Sequence, residues 1–265
     1  MITEIQGSWS LVLGVSSGFG RATAKAVAAR GGNVIGVHLD TSDGAQAAEK
    51  LADELRNTGV RAQFFNLNAA SAATRAEVVS EAVELAGPQG LRILLHSLAF
   101  GTLLPFVSSP ENPQAIAPRQ MAMTVDVMAH SLVYWVQDLL DADLLPRGAK
   151  IFAMTSAGST RVLDSYGPVS AAKAALESHV RQLAAELAPR GIAVNALRAG
   201  TTLTPALAKI PNSSAYAEAC RTRNPHGRLT EPEDVAEAVV LLAMSDSSWT
   251  TGNVIGVDGG ETASA

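Results

Sequence analysis

Three side chains past the middle of the chain have the types and spacing for acid–base work on an oxygen atom. Ser156 lies in the run "TSAGS", Tyr166 follows ten residues later, and Lys173 seven residues after that. A hydroxyl and a phenol facing one pocket donate hydrogen bonds to a substrate oxygen, and a lysine ammonium nearby favours tyrosinate character. Seven residues at about 100° each make nearly two helical turns. Side chains 166 and 173 of a single helix therefore point the same way. Pro168 is tolerated only in a first helical turn, which places Tyr166 near the helix start. The plain alternative is a core tyrosine and a solvated lysine.

A second stretch, "LGVSSGFG" from Leu13 to Gly20, fits two motifs. Gly14-Val15-Ser16-Ser17-Gly18 matches G-x-S-x-G, the elbow that presents a nucleophilic serine. Gly14, Gly18 and Gly20 also match a glycine-rich turn that cradles a phosphate. Position decides between them. A nucleophile elbow needs several strands before it, and here only Trp9–Leu13 precedes the loop. The helix Arg21–Arg30 begins at once, so its N–H groups and dipole point at the loop. Gly14 then allows the tight turn, Gly18 the close approach of a diphosphate, and Gly20 helix–strand contact. Ser16, Ser17 and Phe19 complete this cofactor loop, the serines as hydrogen-bond donors. The next strand ends in "VHLDTSD", which brings His38 and Asp40 to the adenosine ribose. A carboxylate there accepts from a 2′-hydroxyl and repels a 2′-phosphate. No Arg or Lys occupies this strand end, so NAD(H) is favoured over NADP(H). The alternative is that Asp40 is a solvated turn residue and His38 makes the local contact.

The elements that must position these groups alternate regularly. Strands are expected at Trp9–Val15, Asn33–Val37, Ala62–Asn66, Ile93–Leu98, Lys150–Thr155, Ala193–Leu197 and Val254–Val257, short and rich in Val, Ile and Leu. Helices are expected at Gly20–Arg30, Gly44–Asn57, Ala73–Ala86, Met121–Leu140, Val169–Leu187 and Glu233–Met244. Such alternation predicts a single-domain α/β Rossmann fold: a doubly wound, parallel, seven-stranded sheet with helices on both faces and right-handed crossovers. Two segments break the rhythm, "GTLLPFVSSPENPQAIAP" and "TTLTPALAKIPNSSAYAEACRTRNP". Both follow the C-terminal end of a strand, where open α/β sheets bind ligands. The second, at about 201–225, is expected to be a mobile lid over the site.

Composition narrows the class further. The chain has 265 residues, 47% hydrophobic, enough for one substantial domain. A net charge of -5 offers no nucleic-acid surface. No apolar run reaches membrane-spanning length, and "MITEIQGSWS" has neither the basic nor the apolar region of a secretory signal. Cys220 is the single cysteine, so no disulfide forms within the chain and a reducing cytoplasm is the expected compartment. The five histidines lack metal-ligand spacing, and no metal is expected. Ser170-Ala-Ala-Lys173 fits S-x-x-K, an acyl-serine motif, but without the S-D-N or K-T-G that accompanies it.

Along nearly its full length the chain resembles the short-chain dehydrogenase/reductases. The pieces that match are "GVSSGFG", "TSAGS", the Tyr–Lys helix, "IAVNALRAG" and "VIGVDGG". Most of that family carries Tyr-x-x-x-Lys, but Val169 stands four residues before Lys173. Tyr166-x6-Lys173 is instead similar to the enoyl-[acyl-carrier-protein] reductases. "HSLAFG", His96 to Gly101, stands where most members have Asn-Asn-Ala-Gly and resembles the corresponding run of enoyl reductases. The usual catalytic asparagine is also missing, with Met128 near its place. Retention of all three loop glycines resembles the enoyl reductases closest to ordinary family members.

The resemblance implies that Asn68 and Ala69 edge the adenine, and that Ser97, Leu98 and Ala99 line the ribose and nicotinamide side. Gly200 and Thr202 would lie near the carboxamide, Thr204 near the diphosphate, and Lys173 on the nicotinamide ribose. It also implies a homotetramer and an acyl-thioester substrate, on acyl carrier protein or coenzyme A. The expected activity is reduction of a trans-2-enoyl thioester by NAD(P)H. The alternatives are a reductase of ketones or secondary alcohols, such as 3-oxoacyl thioesters, and a non-catalytic dinucleotide-binding protein.

Overall fold

Strands buried on both faces need apolar side chains at successive positions, and the seven runs supply them. The computed structural model describes residues 4–110, 112–210 and 213–264. Its strands are β1 (Trp9–Leu13), β2 (Asn33–His38), β3 (Ala62–Asn66), β4 (Leu91–His96), β5 (Lys150–Ser156), β6 (Ala193–Ala199) and β7 (Val254–Val257). They form one parallel sheet in the order β3-β2-β1-β4-β5-β6-β7. The order reverses between β1 and β4, which opens a crevice at their C-terminal ends.

The helices are α1 (Gly18–Ala28), α2 (Ser42–Arg56), α3 (Ala72–Ala86), α4 (Pro118–Val125), α5 (Ser131–Asp141), α6 (Gly167–Leu187), α7 (Ser213–Arg223) and α8 (Pro232–Ala243). Alternation along β1 divides the core. Leu11 and Leu13 pack with Val78, Leu132, Trp135, Leu176 and Val180 of α3, α5 and α6. Val12 packs on the opposite face with Val27, Leu51, Val235 and Val239 of α1, α2 and α8. The expected single-domain, doubly wound α/β architecture is therefore present, and β3 and β7 have the expected bounds.

One expected element changes. The helix expected at Met121–Leu140 is broken: α4 and α5 are separated by a π-turn over Asp126–His130. Ser131 Oγ donates to the Val127 carbonyl at 2.8 Å inside this turn, a side-chain bond that competes with the regular ladder. The expected lid, in turn, contains a 3₁₀ turn at Leu207–Lys209 and the helix α7, which buries Ala217 and Cys220. Pro211 and Asn212 lie outside the described residues. No described helix is long and apolar enough to cross a membrane.

Trp135 ties the core to the cofactor side. It is fully buried, and its indole N–H donates to the Ala69 carbonyl at 2.8 Å, just past β3. Trp135→Phe keeps an aromatic ring but leaves that carbonyl unpaired. Urea unfolding should show a loss of about 1–3 kcal/mol; an unchanged midpoint would mean the bond does not anchor this turn.

Candidate active site

The crevice is built from backbone. Gly14 has φ +90° and donates its N–H to the Val37 carbonyl at 2.8 Å. A side chain on Gly14 would collide with the Ser97 carbonyl, and one on Gly20 with the Gly14 carbonyl. Ser97 N–H donates to the Leu13 carbonyl at 2.9 Å, and Leu98 packs beside Gly14. Gly18 opens α1 with φ +50°, and the Thr204 methyl carbon lies 3.5 Å from where its Cβ would be. Ser17 is the N-cap, yet its side chain makes no capping bond and the first turn of α1 holds no acidic residue. Ser16 is half-buried, Ser17 and Ala99 are exposed, and Phe19 packs on the α1-side core. Uncapped amides over a glycine-walled turn fit a diphosphate, whose oxygens would take the bonds that the Ser17 side chain leaves unmade.

At the other strand ends the same ligand would meet its remaining groups. His38 closes β2 with its ring buried, and its Nδ1 lies 2.9 Å from Asp40 Oδ2. Asp40 is held in place through its backbone: its N–H donates to Asn66 Oδ1 at 2.9 Å, and its carbonyl accepts from Asn66 Nδ2 at 3.1 Å. Asn68 Oδ1 accepts the Ala70 N–H at 3.0 Å. Beyond β6, Gly200 lies against Thr230 and Asp258, where a Cβ would not fit. Thr202 is buried and donates to the Gly200 carbonyl at 3.0 Å, while Thr204 Oγ1 accepts the Leu207 N–H at 3.2 Å. Among the described residues no three His, Cys, Asp or Glu side chains gather as a metal site.

The oxygen-directed groups meet between β5 and α6. Ser156 Oγ lies 3.3 Å from Tyr166 Oη and accepts the Gly158 N–H at 3.2 Å. Tyr166 is the N-cap of α6, with Pro168 in the first turn as expected. Ser165, with φ +58°, turns the chain into it. A side chain on Gly158 would collide with the Tyr166 ring. Gly158 thus sets both hydroxyls, a role invisible in the sequence, where it reads as an ordinary turn glycine. Burial pushes the Tyr166 phenol above its usual pKa, with the Ser156 hydrogen bond opposing.

Lys173 is buried, and its ammonium donates to the Met154 carbonyl at 2.7 Å. Burial pulls it down to about 8, with Glu177 opposing. His96, fully buried at the end of β4, faces Ser131 at 2.8 Å; burial and then the Lys173 charge hold its pKa down to about 3. Val169, where the usual tyrosine would stand, packs in an apolar cluster with Met128 and Ala172. Met128 and Val169, two of the departures from the family's pattern, therefore share one apolar cluster.

Strand order and the glycine crevice place this chain among the doubly wound dinucleotide-binding proteins. A family model described as Enoyl-(Acyl carrier protein) reductase matches residues 14–262, and the chain belongs to the short-chain dehydrogenase/reductase family, oxidoreductases that bind a nicotinamide cofactor. It is 31% identical to a cyclohexanol dehydrogenase from Rhodococcus sp. (strain TK6), with 97% of each chain covered. It is 28% identical to a 1-cyclohexenylcarbonyl-CoA reductase from Streptomyces collinus, over 95% of this chain and 85% of that one. Among solved structures, a short chain dehydrogenase from Burkholderia cenocepacia J2315 in complex with NADP superposes with a TM-score of 0.81 at 27% identity, covering 98% of this chain and 100% of that one.

The buried ammonium carries a pH signature. The folded protein holds the Lys173 proton less tightly than the unfolded chain, so the cost of burying the charge is present in full below about pH 8. It is relieved as pH rises towards the ordinary lysine value of 10.5. Wild-type stability should therefore gain on Lys173→Met by about 3 kcal/mol across that window. Denaturation curves of the two proteins that stay parallel there would contradict this placement.

Proposed function

We propose that this protein reduces the C2–C3 double bond of a trans-2-enoyl thioester. The carrying observation is Tyr166, its hydroxyl held against Ser156 and its pKa raised by burial, standing three residues before the position that Val169 fills. A bound nicotinamide supplies a hydride. Hydride added at C3 would leave the π electron pair delocalised onto the C1 carbonyl oxygen as an enolate, and a proton from water at C2 would complete the saturated thioester. The stabilising donor is therefore needed at the C1 oxygen, two carbons from the hydride acceptor. Placing tyrosine three residues nearer the helix start moves it by roughly 4.5 Å along the axis. Tyr166 donates to the developing enolate oxygen, and Ser156 holds the phenol in place. The reductase from Streptomyces collinus, named for an unsaturated acyl thioester, and the matching family model support this reading.

Cofactor contacts fall to Gly14, Ser16, Ser17, Gly18, Phe19 and Gly20 around the diphosphate, and to Asp40 with His38 at the ribose. Asn68 and Ala69 serve the adenine. Ser97, Leu98, Ala99, Lys173, Gly200, Thr202 and Thr204 serve the nicotinamide and diphosphate side. The Asp40 carboxylate, whose side chain is 29% exposed, favours NAD(H) over NADP(H). Of the expected lid at about 201–225, the described residues 201–210 and 213–225 cover the substrate. An acyl thioester carried on acyl carrier protein or coenzyme A, a homotetramer and a cytoplasmic location complete the reading.

A second reading is reduction of a ketone or oxidation of a secondary alcohol, which the Rhodococcus dehydrogenase and the hydroxyl pair favour. Alcohol oxidation calls for a phenolate base, however, and burial of Tyr166 opposes that state. Absorbance assays with trans-2-enoyl and 3-oxoacyl thioesters, each with NADH and NADPH, separate the two. The enoyl substrate with NADH should be turned over about tenfold faster than any other pair. Cofactor oxidation with the oxo substrate alone would transfer the assignment to the second reading.

A further inference from the structure

The segment after β6 carries Thr202 and Thr204; past Ala199 its backbone is tied only by the Gly200 N–H, which donates to the Val257 carbonyl at 3.1 Å, and by the Thr201 carbonyl, which accepts the Thr230 N–H at 3.1 Å, among the described backbone bonds up to Thr201. We propose that Glu261, in the C-terminal turn, is the positioning residue that latches this segment in place for cofactor binding. The functional meaning rests on the cofactor reading above; the latch itself rests on contacts alone. Glu261 is 3% exposed and spends both carboxylate oxygens on one residue. Its Oε2 accepts the Thr201 N–H at 2.8 Å, and its Oε1 accepts the Thr201 hydroxyl at 2.9 Å. Burying a carboxylate is costly unless such bonds compensate it. Here both compensating bonds fall on the residue just before Thr202.

The turn that presents Glu261 is itself braced. Asp258 Oδ1 accepts the Gly260 N–H at 3.0 Å, and Asp258 also accepts the Thr262 hydroxyl. Arg198 of β6 donates to Thr262 Oγ1 at 3.1 Å, and Asn224, just past α7, donates to the Asp258 carbonyl at 3.0 Å. The α7 helix leans on the same spot. Burial raises the Tyr216 phenol and Cys220 adds to it; the Thr201 hydroxyl opposes and the Glu261 charge adds in turn. The end of β6, the root of α7 and the C-terminal turn thus converge on Thr201. Its hold by Glu261 sets where Thr202 and Thr204 sit and how residues 205–210 leave the sheet.

Glu261→Ala removes both bonds. Glu261→Gln keeps them in kind: its carbonyl accepts the Thr201 N–H and its amide donates to the hydroxyl oxygen. NADH dissociation constants and the rate of tryptic cleavage after Lys209, Arg221 or Arg223 should be measured for each full-length protein. In Glu261→Ala the dissociation constant should rise about tenfold and cleavage should accelerate, while Glu261→Gln stays within about twofold of wild type. A purely structural role would lower the melting temperature and the active fraction without moving the dissociation constant. Wild-type affinity and cleavage rate in Glu261→Ala would overturn the latch, as would equal loss in both variants. If Glu261→Ala fails to fold, Thr201→Val, which removes one of the two bonds, should weaken NADH about threefold; no change would overturn the latch. A wild-type protein that binds neither NADH nor NADPH would sink the cofactor reading instead, and the cleavage comparison would still decide the latch.

Discussion

The C-terminal ends of β1 and β4 and the start of α1 approach so closely that only backbone fits between them. A Cβ on Gly14 would strike the Ser97 carbonyl, and a Cβ on Gly20 would strike Gly14. Two consequences follow at the reversal of strand order. The α1 amides are left facing an open turn, with no capping side chain to occupy them. The segment after β6 can also cross the sheet end far enough for Thr204 to rest on Gly18. Side chains at these glycines would push the layers apart and separate the two halves of the crevice.

Around the oxygen-directed pair, the logic is that of a neutral donor that keeps its proton. Gly158 donates to Ser156, whose own hydroxyl is then free to point at Tyr166 or at a substrate oxygen. Burial raises the phenol's pKa and so favours its neutral form. Lys173 makes its one described side-chain hydrogen bond to the Met154 carbonyl and sits in surroundings that weaken its charge. This environment suits donation to an oxygen that becomes negative. The apolar cluster of Met128, Val169 and Ala172 removes the polar positions most family members would use.

Much of this was legible in the chain. The bounds of β3 and β7 are readable because turn residues flank both runs, and Pro168 marks the start of α6. The π-turn was not, because the apolar period runs through it unbroken while Ser131 diverts the Val127 carbonyl. Nor was α7, a polar helix that turns only Ala217 and Cys220 inward and so lacks an apolar stripe. His38 and Asp40 each stood out as ribose contacts, but their bond to one another depends on how the end of β2 bends. Gly158 and Glu261 were hidden for one reason: their partners, Tyr166 and Thr201, come from other parts of the chain.

The most direct test of Tyr166 as the enolate-side donor is single-turnover hydride transfer in Tyr166→Phe, measured beside its NADH dissociation constant. The ring still packs on Gly158, so only the donor is lost. The rate should fall by about 10²-fold or more, with the dissociation constant within about twofold of wild type. Hydride transfer at the wild-type rate, with a trans-2-enoyl thioester as acceptor, would contradict the role assigned to Tyr166.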